Sequence, residues 1–304
     1  MLPALLSALV LTGAPQTPPP ASAPAAARQD PVQLEEVVVE ARRLEEATRQ
    51  FVEQIGSPPP GTRPGRWNGP ICMSVTGMRA DVAQFMIDRV AIAALDAGVD
   101  VEGPGCRPNV IILATSDGPG LANEMVERVG LGFRPAVSST NLGRDALNHF
   151  RTADVPVRWW HVTVPVEPQS GQVAIAFRGQ EAPTLTVRDA SRLRSNVRYD
   201  IGWAIIIVDF SMTEGEPLGA VADYVAMATL TQLDPFADMR GLDTILNLFE
   251  RGSDVTSLTS WDKDYLTALY SSRADRATEA QQINDMVTRM NQVRREEPET
   301  PADD

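Results

Sequence analysis

The sequence predicts an α+β fold, on three observations: a strand–helix–strand unit across residues 71–115, strand signals across residues 155–209, and helical spacing from Pro217 onward. The first unit opens on the apolar run 71–76 (ICMSVT). It continues through 79–97, where Val82, Phe85, Val90 and Ala94 recur at helical spacing, and closes on 110–115 (VIILAT). Two strands joined by a helical crossover run parallel. Residues 205–209 (IIIVD) form the strongest apolar run of the second half and read as an interior strand.

Taken in order, the chain begins with an apolar run at 2–11, LPALLSALVL. A spanning helix needs about 20 apolar residues, so this run fits the h-region of a secretory signal peptide instead. No Lys or Arg precedes it. Residues 15–27 are rich in Pro and Ala and read as extended and disordered. Ala25, Ala26 and Ala27 offer a small-residue cleavage site, giving a signal peptide at 1–27 and a linker with an amphipathic segment at 28–65. The expected destination is the periplasm or the cell exterior, with no stable membrane span after cleavage. Residues 37–39 read as extended. From Ala41 the pattern turns helical, with Leu44, Ala47, Phe51 and Ile55 on one side, until Gly56, Pro58, Pro59 and Pro60 stop it. The globular body is expected to start near Arg66 and Trp67.

Export gives the cysteines a role. Cys72 and Cys106 would stand near the N-terminal ends of two neighbouring strands, where their Cα atoms can come within bonding distance. A disulfide there is worth roughly 4 kcal/mol in the loop-entropy model. The other reading is two buried free thiols.

Residues 121–129 and 142–150 read as short helices, with loop across 130–140. Residues 155–166, 172–177 and 184–187 read as strands, with turns at Gly171 and Gly179. Pro217 opens a helix reaching about Leu233. Its apolar residues nearly encircle it, which marks a buried helix. Residues 259–270 make another, with Trp261, Tyr265, Leu266 and Leu269 as the core face, Thr259 or Ser260 as cap, and Asp262 at the positive end. A polar helix at 276–294 and an acidic tail at 296–304, expected to be disordered, complete the chain.

Composition excludes several functions. The formal net charge of −13 argues against nucleic-acid binding. Two His and two Cys leave few zinc ligands. Lys263 is the sole lysine, which reads as codon bias. No Gly-x-Ser-x-Gly elbow and no phosphate loop is present, and Gly130-Leu131-Gly132 runs into Phe133-Arg134-Pro135 instead of a dinucleotide fingerprint. Asp234 and Asp238 either hold a cation or form a capped, solvated turn. His149 ends a short helix. His161 shares a strand face with Trp159, opposite Trp160, and both histidines read as structural.

Residues 199–272 combine a strong strand, a buried helix, a Leu-Asp-Pro turn, the segment DTILNLF and the helix LTSWDKDYLTALYSS. That order resembles the C-terminal part of zincin metalloproteases. More closely, it resembles an uncharacterised family of exported bacterial proteins with degenerate zincin-like domains. The matching residues are Leu230, Asp234, Thr244, Ile245, Asn247, Phe249, Leu258, Thr259, Asp262, Leu269 and Tyr270, with Arg66 and Trp67 upstream. The resemblance implies one zincin-like domain over 66–272, flanked by the linker and by a polar helix and tail at 273–304. A working zincin helix carries two His four apart and a Glu base for zinc-bound water. Here those slots fall on Tyr224, Val225 and Ala228, or in a shifted register on Asp223, Tyr224 and Met227, and neither set can do that work. Tyr224, Val225, Ala228 and Asp234 are thus degenerate-site positions, with no metal, no cofactor and no catalytic residue implied.

A second resemblance lies upstream. Residues 35–41 (EEVVVEA), followed by Arg42 and Arg43, resemble the TonB box of outer-membrane receptors. This implies a partner strand at Glu36, Val37, Val38 and Val39, added to the sheet of a TonB-like partner. The alternative is a local strand or helix lead-in. The expected function is an exported, non-catalytic protein binding a peptide, an envelope component or a protein partner. The alternative is a hydrolase with an unrecognised site, metal-assisted through His161 and acidic residues.

Overall fold

The computed structural model describes residues 31–56, 58–59, 61–136, 140–186 and 191–296. Strands β1 (Met73–Thr76), β2 (Val110–Thr115), β3 (Val157–Val166) and β4 (Arg198–Asp209) form one sheet in the order β1-β2-β4-β3. β1, β2 and β4 run parallel, and β3 pairs antiparallel with β4 at the edge, through a register shift between Val162 and Thr163. The helices are α1 (Pro31–Ile55), α2 (Ala80–Asp96), α3 (Gly118–Phe133), α4 (Gly143–Thr152), α5 (Leu218–Leu230), α6 (Ser260–Ser271) and α7 (Glu279–Glu296). The fold is α+β, with a helical C-terminal part. Among the described residues, no helix is long and apolar enough to cross a membrane.

The described residues from Arg42 onward form one compact unit, and of residues 1–41 the described part is the start of α1. Strand alternation divides the core of the larger unit. Ala204, Ile206 and Val208 of β4 face a main core with α2, α5 and α6, while Ile205 and Ile207 face a smaller one with Ala122, Ala146, Phe150 and Trp160. Helix α5 lies inside the main core, buried from Ala220 to Leu230, as its all-round apolar sequence requires. Phe51, Val52 and Ile55 of α1, and Met286, Val287 and Met290 of α7, also belong to this core, although they lie outside 66–272. The globular body therefore starts before Arg66.

The strand–helix–strand unit forms as its spacing predicts, and Cys72 and Cys106 are joined in a disulfide with their Cα atoms 6.0 Å apart. The Cys72 N–H donates to Asn109 Oδ1 at 2.7 Å, and the Cys72 carbonyl accepts from the N–H groups of Asn109 and Val110. The bridge thus closes where β1 and β2 begin.

Several expectations need correction. Residues 37–39 are helical, not extended, because α1 starts at Pro31. The helix penalty of three valines is only a few tenths of a kcal/mol each, and Glu, Ala, Arg and Leu around them favour the helix. The structure therefore describes Glu36, Val37, Val38 and Val39 as helix, with Val38 and Val39 exposed. Residues 172–177 form no strand beyond a bridge at Val173, and 184–186 form none. Their alternation marks extended chain, but β3 meets them only at its last residues. Helix α3 runs on to Phe133, across part of the expected loop, with non-helical backbone at Val129 where a helix end was expected. Helix α5 stops at Leu230, not Leu233. The expected signal peptide at 1–27, Val187 and the tail beyond Glu296 lie outside the described residues.

Candidate functional site

A cleft of about 290 Å³ opens where edge strand β3 meets α5. One wall is the start of β3, Pro156 to Trp159, and the floor includes Tyr224 of α5. His149 and Phe150 of α4, the segment after α5 that includes Asp234, and Leu246, Asn247, Phe249 and Glu250 complete it.

The sequence builds the far wall through a buried carboxylate. Asp262 is fully buried and accepts hydrogen bonds from Thr244 Oγ1 (2.6 Å), Ile245 N–H (2.8 Å), Thr259 N–H (3.0 Å) and Thr259 Oγ1 (3.1 Å). The same residues make the capping box of α6. This ties the start of α6 to the short 3-10 turn Ile245–Asn247, which carries the cleft residues Leu246 and Asn247. Asn247 spends its amide N–H groups on the carbonyls of Met239 (2.9 Å) and Leu242 (2.7 Å), fastening the loop opposite. Its Oδ1 is buried with no hydrogen-bond partner.

The floor is aromatic. The Tyr224 ring lies 6.3 Å from Trp159 and 5.1 Å from Phe249, centroid to centroid. At the rim, His149 meets Phe236 edge-on at 5.0 Å. Tyr224 is only 8% exposed, and its hydroxyl has no hydrogen-bond partner among the described residues. Burial, assisted by the charge of Glu250, raises its pKa, so the phenol stays protonated.

The neighbours of Tyr224 on α5 point elsewhere. Val225, Met227 and Ala228 are buried in the main core. Asp223 takes both Arg89 nitrogens, at 2.5 and 2.8 Å, and the Leu258 N–H at 2.9 Å. It locks α5 to α2 and does not line the cleft. Of the four positions expected from the sequence to mark a degenerate site, Tyr224 and Asp234 share the cleft, while Val225 and Ala228 do not line it.

The acidic residues after α5 divide in the same way. Asp238 pairs with Arg240 at 2.6 and 2.8 Å, and that guanidinium holds its carboxyl down at about 2. Asp234 accepts the Phe236 N–H at 2.9 Å and forms no salt bridge among the described residues. Glu250 is exposed at the rim and forms none either.

The two histidines do not share a site. His149 lines the cleft, and burial, with the nearby Arg158 charge, lowers its pKa against the pull of Asp234. His161 is buried beside α5, pushed down to about 4 by desolvation against the carbonyls of Ala228 and Thr229, and its Nε2 has no partner. Arg158, 2% exposed, donates to the carbonyls of Phe150 (2.9 Å) and Ala153 (2.9 Å). A Cβ on Gly118 would stand 2.7 Å from that guanidinium, so the start of α3 admits Arg158 only because residue 118 is glycine.

The backbone adds one more feature. Asp209 N–H donates to the Pro156 carbonyl, so residues 156, 158 and 160 bond to β4. By alternation, Val157 and Trp159 direct their N–H and C=O groups away from β4, on the side of β3 that lines the cleft.

No family model, curated protein or solved structure matches the chain. Function therefore has to be argued from the cleft itself. Among the described lining residues none is Ser, Thr or Cys. The one grouping of potential metal ligands among the described residues is Cys72, Glu102 and Cys106, and the disulfide occupies both sulfurs. Sequence reasoning missed Glu250 and Arg158, and it read His149 as structural. Asn247 carried a signal as part of the motif, but nothing local to His149 or Glu250 pointed to this cleft.

Proposed function

We propose that this chain is an exported, non-catalytic binding protein that accommodates an extended peptide segment of a partner in the cleft between β3 and α5. The observation that carries the reading is the side of β3 turned away from β4 at Val157 and Trp159, opposite an aromatic floor at Tyr224. Strand addition supplies main-chain hydrogen bonds, and the adjoining pocket supplies selectivity. A degenerate zincin-like origin fits a buried helix whose cleft-lining residue is a tyrosine instead of a metal ligand. The Cys72–Cys106 disulfide supports export to an oxidising compartment. The hydrolase alternative draws on His149 beside Asp234, an imidazole kept neutral in a cleft. It lacks a Ser, Thr or Cys nucleophile among the lining residues, and His161 is buried away from any carboxylate partner among the described residues.

The test is hydrogen exchange on full-length protein with a saturating mixture of random hexapeptides. Slower exchange at the Val157 and Trp159 amides, with the peptides recovered intact, is the expected result. Peptide cleavage that disappears in His149→Ala would replace this reading with the hydrolase.

A further inference from the structure

We infer that the cleft recognises a basic side chain, arginine or lysine, on the bound segment. This rests on the peptide-binding reading above and specifies its ligand. The unmatched polar groups around the cleft are mostly acceptors, set against one buried unmatched donor, Arg158 Nε. Tyr224, 92% buried by its 8% exposure, brings a hydroxyl without a partner among the described residues into the floor. Asn247 Oδ1 is a buried acceptor with no donor, its own amide N–H groups being spent on Met239 and Leu242. Asp234 and Glu250 add carboxylates with no cation paired to them among the described residues. An acceptor left dry in a wall costs about 1–3 kcal/mol unless something supplies a donor.

The aromatic floor selects the kind of donor. Trp159, Tyr224 and Phe249 present ring surface next to those carboxylates. A cation over aromatic faces and flanked by carboxylates gains from both the ring quadrupole and the ion pair. The cations already present form no ion pair with Asp234 or Glu250 among the described residues, although the Arg240 charge is felt at Glu250. Arg158 donates to backbone carbonyls and packs against Gly118, while Arg240 is bound to Asp238. His149 is held toward its neutral form and adds no repulsion near neutrality. The net charge of −13 adds attraction for a basic segment at low salt.

The experiment titrates full-length protein with four capped pentapeptides, Ala-Ala-Xaa-Ala-Ala, in which Xaa is arginine, lysine, norleucine or glutamate. Calorimetry reads affinity, and amide exchange at Val157 and Trp159 reports the place of binding. The expected result is that arginine or lysine binds at least about tenfold more tightly than norleucine, and that glutamate binds weakest. Glu250→Gln and Tyr224→Phe should each weaken the basic peptides about tenfold more than they weaken norleucine. Equal binding of norleucine and the basic peptides would overturn the charge selectivity and leave the peptide reading standing. Tighter binding of the glutamate peptide would do the same. No protection of Val157 and Trp159 by any of the four would overturn both.

Discussion

Two polar neighbourhoods stand on either side of the 3-10 turn, and they are built on opposite terms. Around Asp262 every partner is present: four donors converge on one buried carboxylate. In the cleft, Asn247 Oδ1 and Arg158 Nε are buried without a partner, the Tyr224 hydroxyl has none among the described residues, and the Asp234 and Glu250 carboxylates pair with no cation there. A fully satisfied buried network holds architecture, whereas an unsatisfied one in a concave site points to a ligand. The contrast also sorts the residues of segment 244–262. Thr244, Thr259 and Asp262 support the wall, while Asn247 and Phe249 reach the cleft.

The contrast breaks most sharply at Asp262. Replacing it with Ala orphans the Ile245 and Thr259 N–H groups and the Thr244 hydroxyl, at about 1–3 kcal/mol for each buried group. Asp262→Ala should therefore lose at least about 3 kcal/mol in urea unfolding. A loss under about 1 kcal/mol would remove Asp262 from the architecture and dissolve the comparison.

His161 supplies the next largest effect, as a buried group with one nitrogen unmatched but no cleft to serve. Its folded pKa of about 4 lies below the ordinary 6.5, so below pH 6.5 the unfolded chain binds the extra proton. Stability contributed by neutral His161 is present above pH 6.5 and is lost as pH falls toward 4, up to about 3 kcal/mol. His161→Gln should flatten that part of the stability profile relative to the parent protein. Superimposable profile shapes for the two proteins would show that His161 does not titrate with unfolding.

Tyr224→Phe should change stability by no more than about 0.5 kcal/mol, because the hydroxyl it deletes bonds to no described residue. Thermal unfolding checks this without any ligand. A loss above about 2 kcal/mol would place Tyr224 on the structural side of the comparison, beside Asp262.

Much of the fold was legible because its signals are local. The apolar runs at 71–76 and 110–115 with helical spacing between them specify a crossover unit, and that unit places Cys72 within reach of Cys106. Thr259 and Asp262, three residues apart, announce the cap of α6. The valines at 37–39 misled because a weak propensity was read without the strong helix formers on both sides. The run at 172–177 misled because alternation describes a chain able to pair, and pairing needs a partner that only the assembled sheet provides.

The candidate site was legible only in part. The sequence by itself determined that α5 is buried and carries no zinc-ligand pair, since both follow from the residues of one helix. It could not say which side of α5 meets the cleft, because a helix apolar all round has no polar face to mark the direction. Tertiary structure alone turned Tyr224 toward the cleft and Asp223 toward Arg89. It alone brought His149, Asp234 and Glu250 around one space. Those residues come from segments far apart in the chain, and their meeting depends on how α4, β3 and the 3-10 turn pack, a relation that no local window of sequence contains.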